Sequence, residues 1–197
     1  MTSKKNYFHS YIYIYIYMTI FHISGNQGSG KTTLGNKLKA ILGNKVIIKD
    51  FDELYGEFKN TKKRSYQKYI NDFIKSHRNK HIIFTGLDAD ICLGSGKSNN
   101  YYDMKADYKY YIDIDENIIL KQKFLRQVDK LYERKDWFIK TFLENKKNEK
   151  FIQEKILRFV DILSWRKQMN ECNKLYRKRG YKFMNRENIY NDILAKI

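Results

Sequence analysis

The sequence is poor in the residues that build metal centres and crosslinked folds. It has two cysteines, Cys92 and Cys172, and neither belongs to a C-x-x-C pair or stands beside a group of histidines. The four histidines are equally scattered, so neither a zinc site nor a disulfide framework is predicted. Because chains with few cysteines suit a reducing compartment, we expect a cytoplasmic location. Spanning a bilayer needs about 20 consecutive apolar residues; the sequence has no such run, and no membrane partner is expected.

Proline is absent altogether, in a sequence that is instead rich in tyrosine, asparagine and isoleucine. AT-rich codons encode these residues, and the same codon bias would raise the lysine content. The formal net charge of +17 therefore has two explanations that stay open. A nucleic acid or another anionic partner would account for it, because Lys and Arg contact phosphates, and so would codon bias. The positive charges are scattered rather than grouped in blocks, which slightly favours codon bias.

The first 17 residues differ from the rest of the chain. Residues 11–17 alternate strictly between tyrosine and isoleucine, which is compatible with a β-strand. Continued to residue 24, they would form one strand of 14 residues, whereas strands usually have about 5–6. We therefore predict that residues 1–17 are a low-complexity N-terminal extension and that residues 18–197 form one domain. The alternative is that the tyrosine-rich segment pairs with the sheet as an additional edge strand.

Residues 25–33, G-N-Q-G-S-G-K-T-T, match the phosphate-binding motif G-x-x-x-x-G-K-[ST] of nucleotide-binding proteins. The preceding residues 18–24 carry apolar side chains at alternate positions, which predicts a strand. Apolar side chains then recur at helical spacing up to Gly43, where a helix is expected to end. Strand, glycine loop and helix therefore follow in the order that a phosphate-binding loop (P-loop) requires. The residues expected to bind nucleotide are Gly25, Asn26, Gln27, Gly28, Ser29, Gly30, Lys31, Thr32 and Thr33.

The residue types in this loop suit a bound phosphate. Glycines let the backbone adopt positive φ and approach an anion closely. The N–H groups at the start of the following helix then point at the phosphates, where the helix dipole favours negative charge. Lys31 is predicted to contact the β- and γ-phosphates as a catalytic residue, and the Thr32 hydroxyl is predicted to ligate Mg²⁺.

Beyond the loop, short apolar segments alternate with helical patterns. Strands are predicted at residues 46–48, 81–84, 108–114 and 181–184. Helices are predicted at residues 53–58, 66–74 and 189–194, and over most of 118–179 with breaks near 134–136 and 145–150. Gly180 is expected to end the long helical stretch. This alternation predicts an α/β fold with a parallel sheet and with ligands at the carboxyl ends of its strands.

The strand, the glycine loop and the sequence Asp50-Phe-Asp52 at the end of the second strand resemble the P-loop kinases of small molecules. These are the nucleoside and nucleotide kinases and their shikimate and gluconate kinase relatives. The resemblance implies a P-loop kinase-like three-layer fold around a five-stranded parallel sheet of order 2-3-1-4-5. It also implies ATP and Mg²⁺ as cofactors and phosphoryl transfer to a small acceptor, foremost a nucleoside or nucleotide. ATP is preferred over GTP by this resemblance, and no guanine-reading N-K-x-D sequence occurs in the chain.

The same resemblance implies roles for individual residues. Asp50 would assist Mg²⁺ or the attacking hydroxyl as a catalytic residue and metal ligand, and Asp52 would bind the acceptor. Arg126 and Arg134, in the helix after the fourth strand, would close over the nucleotide, and Arg126 would also be catalytic. Arginine suits this task because its planar fork binds phosphate oxygens bidentately. Arg64, in a basic loop between the second and third strands, is a weaker candidate for holding an acceptor anion.

Simpler roles stay open for some of these residues. Asp50 or Asp52 would also serve as the N-cap of the helix that follows. Asp88 and Asp113, which both follow apolar segments, are rival carboxylates for magnesium. The two arginines would equally suit a solvated basic helix face.

Two further functions stay open for the whole chain. One is a kinase acting on the end of a nucleic acid, which the net charge favours. The other is a P-loop ATPase or a nucleotide-switched binding module without a small acceptor, because a P-loop identifies the nucleotide and not the second substrate. The aromatic residues between Trp137 and Trp165 recur at roughly helical intervals, and we predict that they form core rather than a platform for stacking bases.

Overall fold

The computed structural model describes residues 18–61, 65–87, 105–150, 153–154 and 161–197. The predicted N-terminal extension, Arg64, Asp88 and Cys92 lie outside these residues, so what was expected of them stays a prediction. In chain order, the described elements are β1 (Ile20–Gly25), α1 (Lys31–Leu42), β2 (Val46–Asp50), α2 (Phe51–Lys59), α3 (Tyr66–Ser76), β3 (His81–Thr85), β4 (Tyr108–Ile112), α4 (Glu116–Glu133), α5 (Lys135–Glu144), α6 (Ile162–Lys178), β5 (Lys182–Met184) and α7 (Arg186–Leu194).

The five strands form one parallel sheet in the order β2-β3-β1-β4-β5, which confirms the predicted order. β1 lies at the centre, pairs with β3 and β4, and buries all six of its residues. Because parallel strands all end at the same edge of a sheet, the loop after β1 lies at the same edge as Asp50, the last residue of β2. The fold thus brings the two segments singled out in the sequence to one place.

Helices cover both faces of the sheet and give the predicted three-layer architecture. On one face, α1 and α7 bury leucine and isoleucine side chains against β1, β3 and β4. On the other face, α2 and α3 pack against β1 and β3, with Phe51 and Ile70 in the buried cluster. α6 packs on β4 through Tyr176, which contacts the ring of Tyr111.

Local sequence explains where several helices begin and end. Gly43 follows α1 with φ of 55°, and Gly180 follows α6 with φ of 76°. Both lie in the left-handed region that favours glycine after a helix, as predicted. Asp50 and Asp161 begin α2 and α6 by accepting a hydrogen bond from a backbone N–H of the first turn.

Two expectations are corrected by the structure. Trp165 is 7% exposed and packs with α4 in the core as predicted, but Trp137 is 57% exposed. The core prediction is wrong for Trp137 because α5 lies against α4 rather than against the sheet. Cys172 is disulfide-bonded; this single bond is not the disulfide framework that was excluded, but it removes the argument from cysteine content to a reducing compartment.

The helices within the described residues are too short or too polar to cross a bilayer.

Candidate functional site

A cavity of about 1030 Å³ opens at the carboxyl edge of the sheet. The loop after β1 and the first turn of α1 line it with every residue of the predicted phosphate-binding motif except Gly25 and Ser29. Asp50 and Asp52 line it from the end of β2, and Gly86 lines it from the end of β3. The remaining wall comes from α4 and α6. The P-loop and the two carboxylates predicted from sequence therefore face one cavity.

The backbone of the P-loop is shaped to receive an anion. Gly28 and Gly30 have φ of 91° and 83°, a conformation that side chains other than glycine rarely adopt. Gly30 is the N-cap of α1, yet no side chain caps this helix and its first turn contains no acidic residue. The first amides of α1 therefore have no capping side chain, as is typical of a helix N-terminus that binds phosphate.

The Lys31 side chain folds back over this loop. Its Nζ donates hydrogen bonds to the carbonyl oxygens of Gly25 and Asn26, at 2.8 and 3.0 Å. Burial lowers the pKa of Lys31 to about 8; the charge of Arg126 lowers it further, while Asp50 and Asp52 oppose the shift. Lys31 is thus a desolvated cation held between the loop and the carboxylates, where bound phosphate oxygens would stabilise its charge.

Asp50 is held by two hydrogen bonds from different elements. Its Oδ1 accepts from the backbone N–H of Asp52 at 2.9 Å, and its Oδ2 accepts from the Thr85 hydroxyl at 2.8 Å. The capping role left open in the sequence is therefore real, and Thr85 fixes the carboxylate further from the end of β3. A carboxylate has about four lone-pair sites, so these two bonds leave Asp50 free to accept others from the cavity.

Asp52 differs from Asp50 in its electrostatics. Burial raises the pKa of Asp52, the neighbouring Asp50 charge adds to the rise, and Lys31 opposes it. The two carboxylates thus line the same cavity in different settings: two hydrogen bonds anchor Asp50, and burial favours the protonated form of Asp52.

Two helices complete the cavity on the opposite side. Arg126 of α4 lines it, and Lys123 lies one turn earlier on the same helix face. Lys123 Nζ donates to Gln168 Oε1 of α6 at 3.3 Å and lies 4.8 Å from the centre of the Trp165 ring. Burial lowers the pKa of Lys123. Sequence reasoning missed Lys123, although its three-residue spacing from Arg126 could have found it.

Other predicted residues lie away from the cavity wall. Arg134 follows α4 as the N-cap residue of α5 and does not line the cavity, so its contact with nucleotide stays a prediction. Asp113 follows β4 and does not line the cavity either. Gly25 ends β1, and Ser29 is buried beneath the loop, where a Cβ on Gly25 would lie 2.6 Å from Ser29 Oγ.

A second cavity of about 340 Å³ adjoins the P-loop at Thr33. Its other residues come from α1 and from the segment after β5, which includes Asn185, Arg186 and Tyr190. Arg186 lies directly against the loop, because a Cβ on Gly30 would be 2.8 Å from its Nη1. Sequence reasoning missed Arg186, although its position just after β5 places it at the ligand edge of a parallel sheet.

No family model and no curated protein matches the chain. The thymidylate kinase from Ehrlichia chaffeensis is 16% identical, with 59% of this chain and 88% of that chain covered and a TM-score of 0.33. The shikimate kinase from Bacteroides thetaiotaomicron is 19% identical, with 66% and 80% covered and a TM-score of 0.35. The strand order and the loop between β1 and α1 decide the fold. It is a P-loop kinase-like α/β fold.

Proposed function

We propose that this chain is a phosphotransferase that uses Mg²⁺-ATP and acts on a small acceptor, with nucleosides and nucleotides as the first class to test. One observation carries the proposal: the P-loop and the two carboxylates after β2 line the same cavity. Phosphoryl transfer depends mainly on positioning and on neutralising charge. A cavity with a phosphate cradle at one end and carboxylates for Mg²⁺ and a hydroxyl nearby meets both needs.

The residues at the P-loop fit the nucleotide and the metal. The uncapped first turn of α1 and Lys31 would hold the phosphates, and the Thr32 hydroxyl and Asp50 would hold Mg²⁺. When bound, Mg²⁺ supplies positive charge that offsets the charge of the phosphate oxygens. The second cavity, which Arg186 and Thr33 line beside the loop, would then hold the nucleoside part of ATP.

Asp50 and Asp52 would have different roles at the acceptor. Asp50, anchored by Thr85 and the Asp52 amide, would fix the position of the attacking hydroxyl. Asp52, whose pKa is raised by burial, would bind the acceptor. Arg126, from the opposite wall, would stabilise charge on the transferred phosphoryl group.

Nucleotide binding is tested by titrating a fluorescent ATP analogue in the presence of Mg²⁺. Lys31→Ala should weaken binding by about 10- to 100-fold, because a hydrogen bond to a charged group contributes about 1.5–3 kcal/mol. Lys68→Ala removes the same charge from an exposed position on α3 and should leave the affinity unchanged. Equal affinities of the wild type and Lys31→Ala would overturn the proposal at its first step.

A further inference from the structure

Two hydrogen bonds connect β1, the strand that leads into the P-loop, with the residue before β5 and the residue after β3. The Tyr181 hydroxyl lies 2.6 Å from His22 Nδ1, and His22 Nε2 lies 3.1 Å from the carbonyl oxygen of Gly86. His22 is completely buried in β1, and Tyr181, just before β5, is 6% exposed. A single polar path therefore joins β5 to β1 and β1 to the end of β3.

The chemistry of the groups fixes the direction of this path. A carbonyl oxygen only accepts hydrogen bonds, so His22 Nε2 carries a proton and donates it to Gly86. In the neutral imidazole, Nδ1 is then the acceptor of the Tyr181 hydroxyl. The imidazole is held edge-on between two rings, 5.1 Å from Phe51 and 5.4 Å from Tyr181 between ring centres. Both its orientation and its hydrogen bonds are thus set by the fold.

Gly86 links the His22 hydrogen bond to the Asp50 carboxylate at the cavity. Its φ is 113°, its N–H donates to the Ile23 carbonyl at 3.2 Å, and its own carbonyl accepts from His22. It also packs against the Asp50 carboxylate, since a Cβ on Gly86 would lie 3.2 Å from Asp50 Oδ1. The preceding residue, Thr85, donates to Asp50 Oδ2. His22 therefore holds the carbonyl of the residue that packs against Asp50 and directly follows Thr85, whose hydroxyl donates to that carboxylate.

We propose that His22 and Tyr181 are positioning residues for the Asp50 carboxylate, acting through the Thr85-Gly86 turn. The assignment rests on the proposed function in giving Asp50 a catalytic role. Neither residue lines the cavity, so neither would touch the substrate. They would instead set the position of the Asp50 carboxylate. Displacing a catalytic group by about 1 Å can lower an enzyme's rate by about 100-fold.

The chain offers a matched control for this proposal. Tyr111 is 1% exposed and lies on the adjacent strand β4, and its hydroxyl has no hydrogen-bond partner in the described part of the chain. Tyr111→Phe and Tyr181→Phe therefore remove the same buried hydroxyl, but only the second removes a hydrogen bond to His22. A general effect of altering a buried tyrosine would appear in both variants.

The first test is turnover, measured as kcat and KM for ATP and acceptor. Tyr181→Phe and His22→Leu should lower kcat by about tenfold or more while each KM stays within about twofold. His22→Gln should recover much of kcat, because its amide can still donate to Gly86. Tyr111→Phe should match the wild type. Wild-type kcat in both Tyr181→Phe and a folded His22→Leu would overturn the proposal.

The second test does not depend on turnover. The Asp52 amide donates to Asp50 Oδ1, so its proton chemical shift in a ¹H–¹⁵N spectrum reports the position of that carboxylate. The shift should move in Tyr181→Phe and His22→Leu, return towards the wild-type value in His22→Gln and stay fixed in Tyr111→Phe. An unchanged shift in Tyr181→Phe contradicts the positioning role even if His22→Leu fails to fold. If the wild type phosphorylates no acceptor, the proposed function fails, and this shift still decides the coupling.

Discussion

Asp50 has a structural role and a proposed chemical role, and two substitutions separate them. Its carboxylate caps α2 through the Asp52 amide and accepts a hydrogen bond from the Thr85 hydroxyl. Asp50→Ala removes both bonds. Asp50→Asn keeps an oxygen for the cap, and asparagine caps helices as well as aspartate does. The negative charge is the one feature that both variants lose.

The structure gives the expected magnitudes. Losing an N-cap costs about 1 kcal/mol, and losing a hydrogen bond to a charged group costs about 1.5–3 kcal/mol. Asp50→Ala should therefore lower the free energy of unfolding by about 2.5–4 kcal/mol. Asp50→Asn should lower it by less than about 1 kcal/mol, because the Thr85 hydroxyl can turn to accept from the new amide. Both variants should lose turnover by about 100-fold or more, the contribution typical of acid–base groups.

The assay is urea unfolding and acceptor phosphorylation on the same preparations. Thr85→Val serves as a control, because it removes one hydrogen bond and leaves both the cap and the charge. It should lose stability yet retain more turnover than Asp50→Asn. If Asp50→Asn turned over at the wild-type rate, Asp50 would be a helix cap and nothing more.

Three other predictions follow from the same geometry. The pKa of Lys31 is about 8 before nucleotide binds, and bound phosphate favours its charged form. Affinity for the ATP analogue should therefore fall as pH rises through 8, and calorimetry should detect proton uptake on binding. Lys31→Ala should lack this pH dependence. Gly30→Ala, at φ of 83° and 2.8 Å from Arg186 Nη1, should lower the free energy of unfolding by about 1 kcal/mol or more in urea, whereas Gly56→Ala, inside α2 with no atom within 4 Å, should raise it. Single-stranded RNA bound through the +17 charge should be released between about 50 and 200 mM salt in filter binding. The bound RNA should not be phosphorylated at its ends. Efficient end phosphorylation would make the nucleic acid the acceptor.

Much of the fold follows from local sequence patterns. The P-loop motif, the alternation of β1 and the helical spacing of α1 depend on residues close together in the chain, so sequence alone identified them. Gly43 and Gly180 marked helix ends because few other residues adopt left-handed φ. The strand order came from the resemblance and not from any local pattern, since the sequence of one strand does not show which strands pair with it in the sheet.

The parts that were missed depend on tertiary packing. The spacing of Lys123 from Arg126 could have pointed to Lys123, but its contact with Gln168 exists because α4 packs on α6, and no spacing rule joins residues 45 positions apart. Trp137 was assigned to the core because its spacing is helical, yet α5 packs on another helix and leaves it exposed. The same limit applies to His22, which looked like one more alternating residue of a strand until its partners at Gly86 and Tyr181 were known.

The most direct test of the central claim is transfer of labelled γ-phosphate from ATP to a panel of nucleosides, nucleotides and small metabolites. The wild type should label one class of acceptor, and Asp50→Asn should still bind the ATP analogue and label none. If ATP were consumed at the same rate with and without every acceptor, or if Asp50→Asn labelled the acceptor as fast as the wild type, the account of this cavity as a phosphotransferase site would be contradicted.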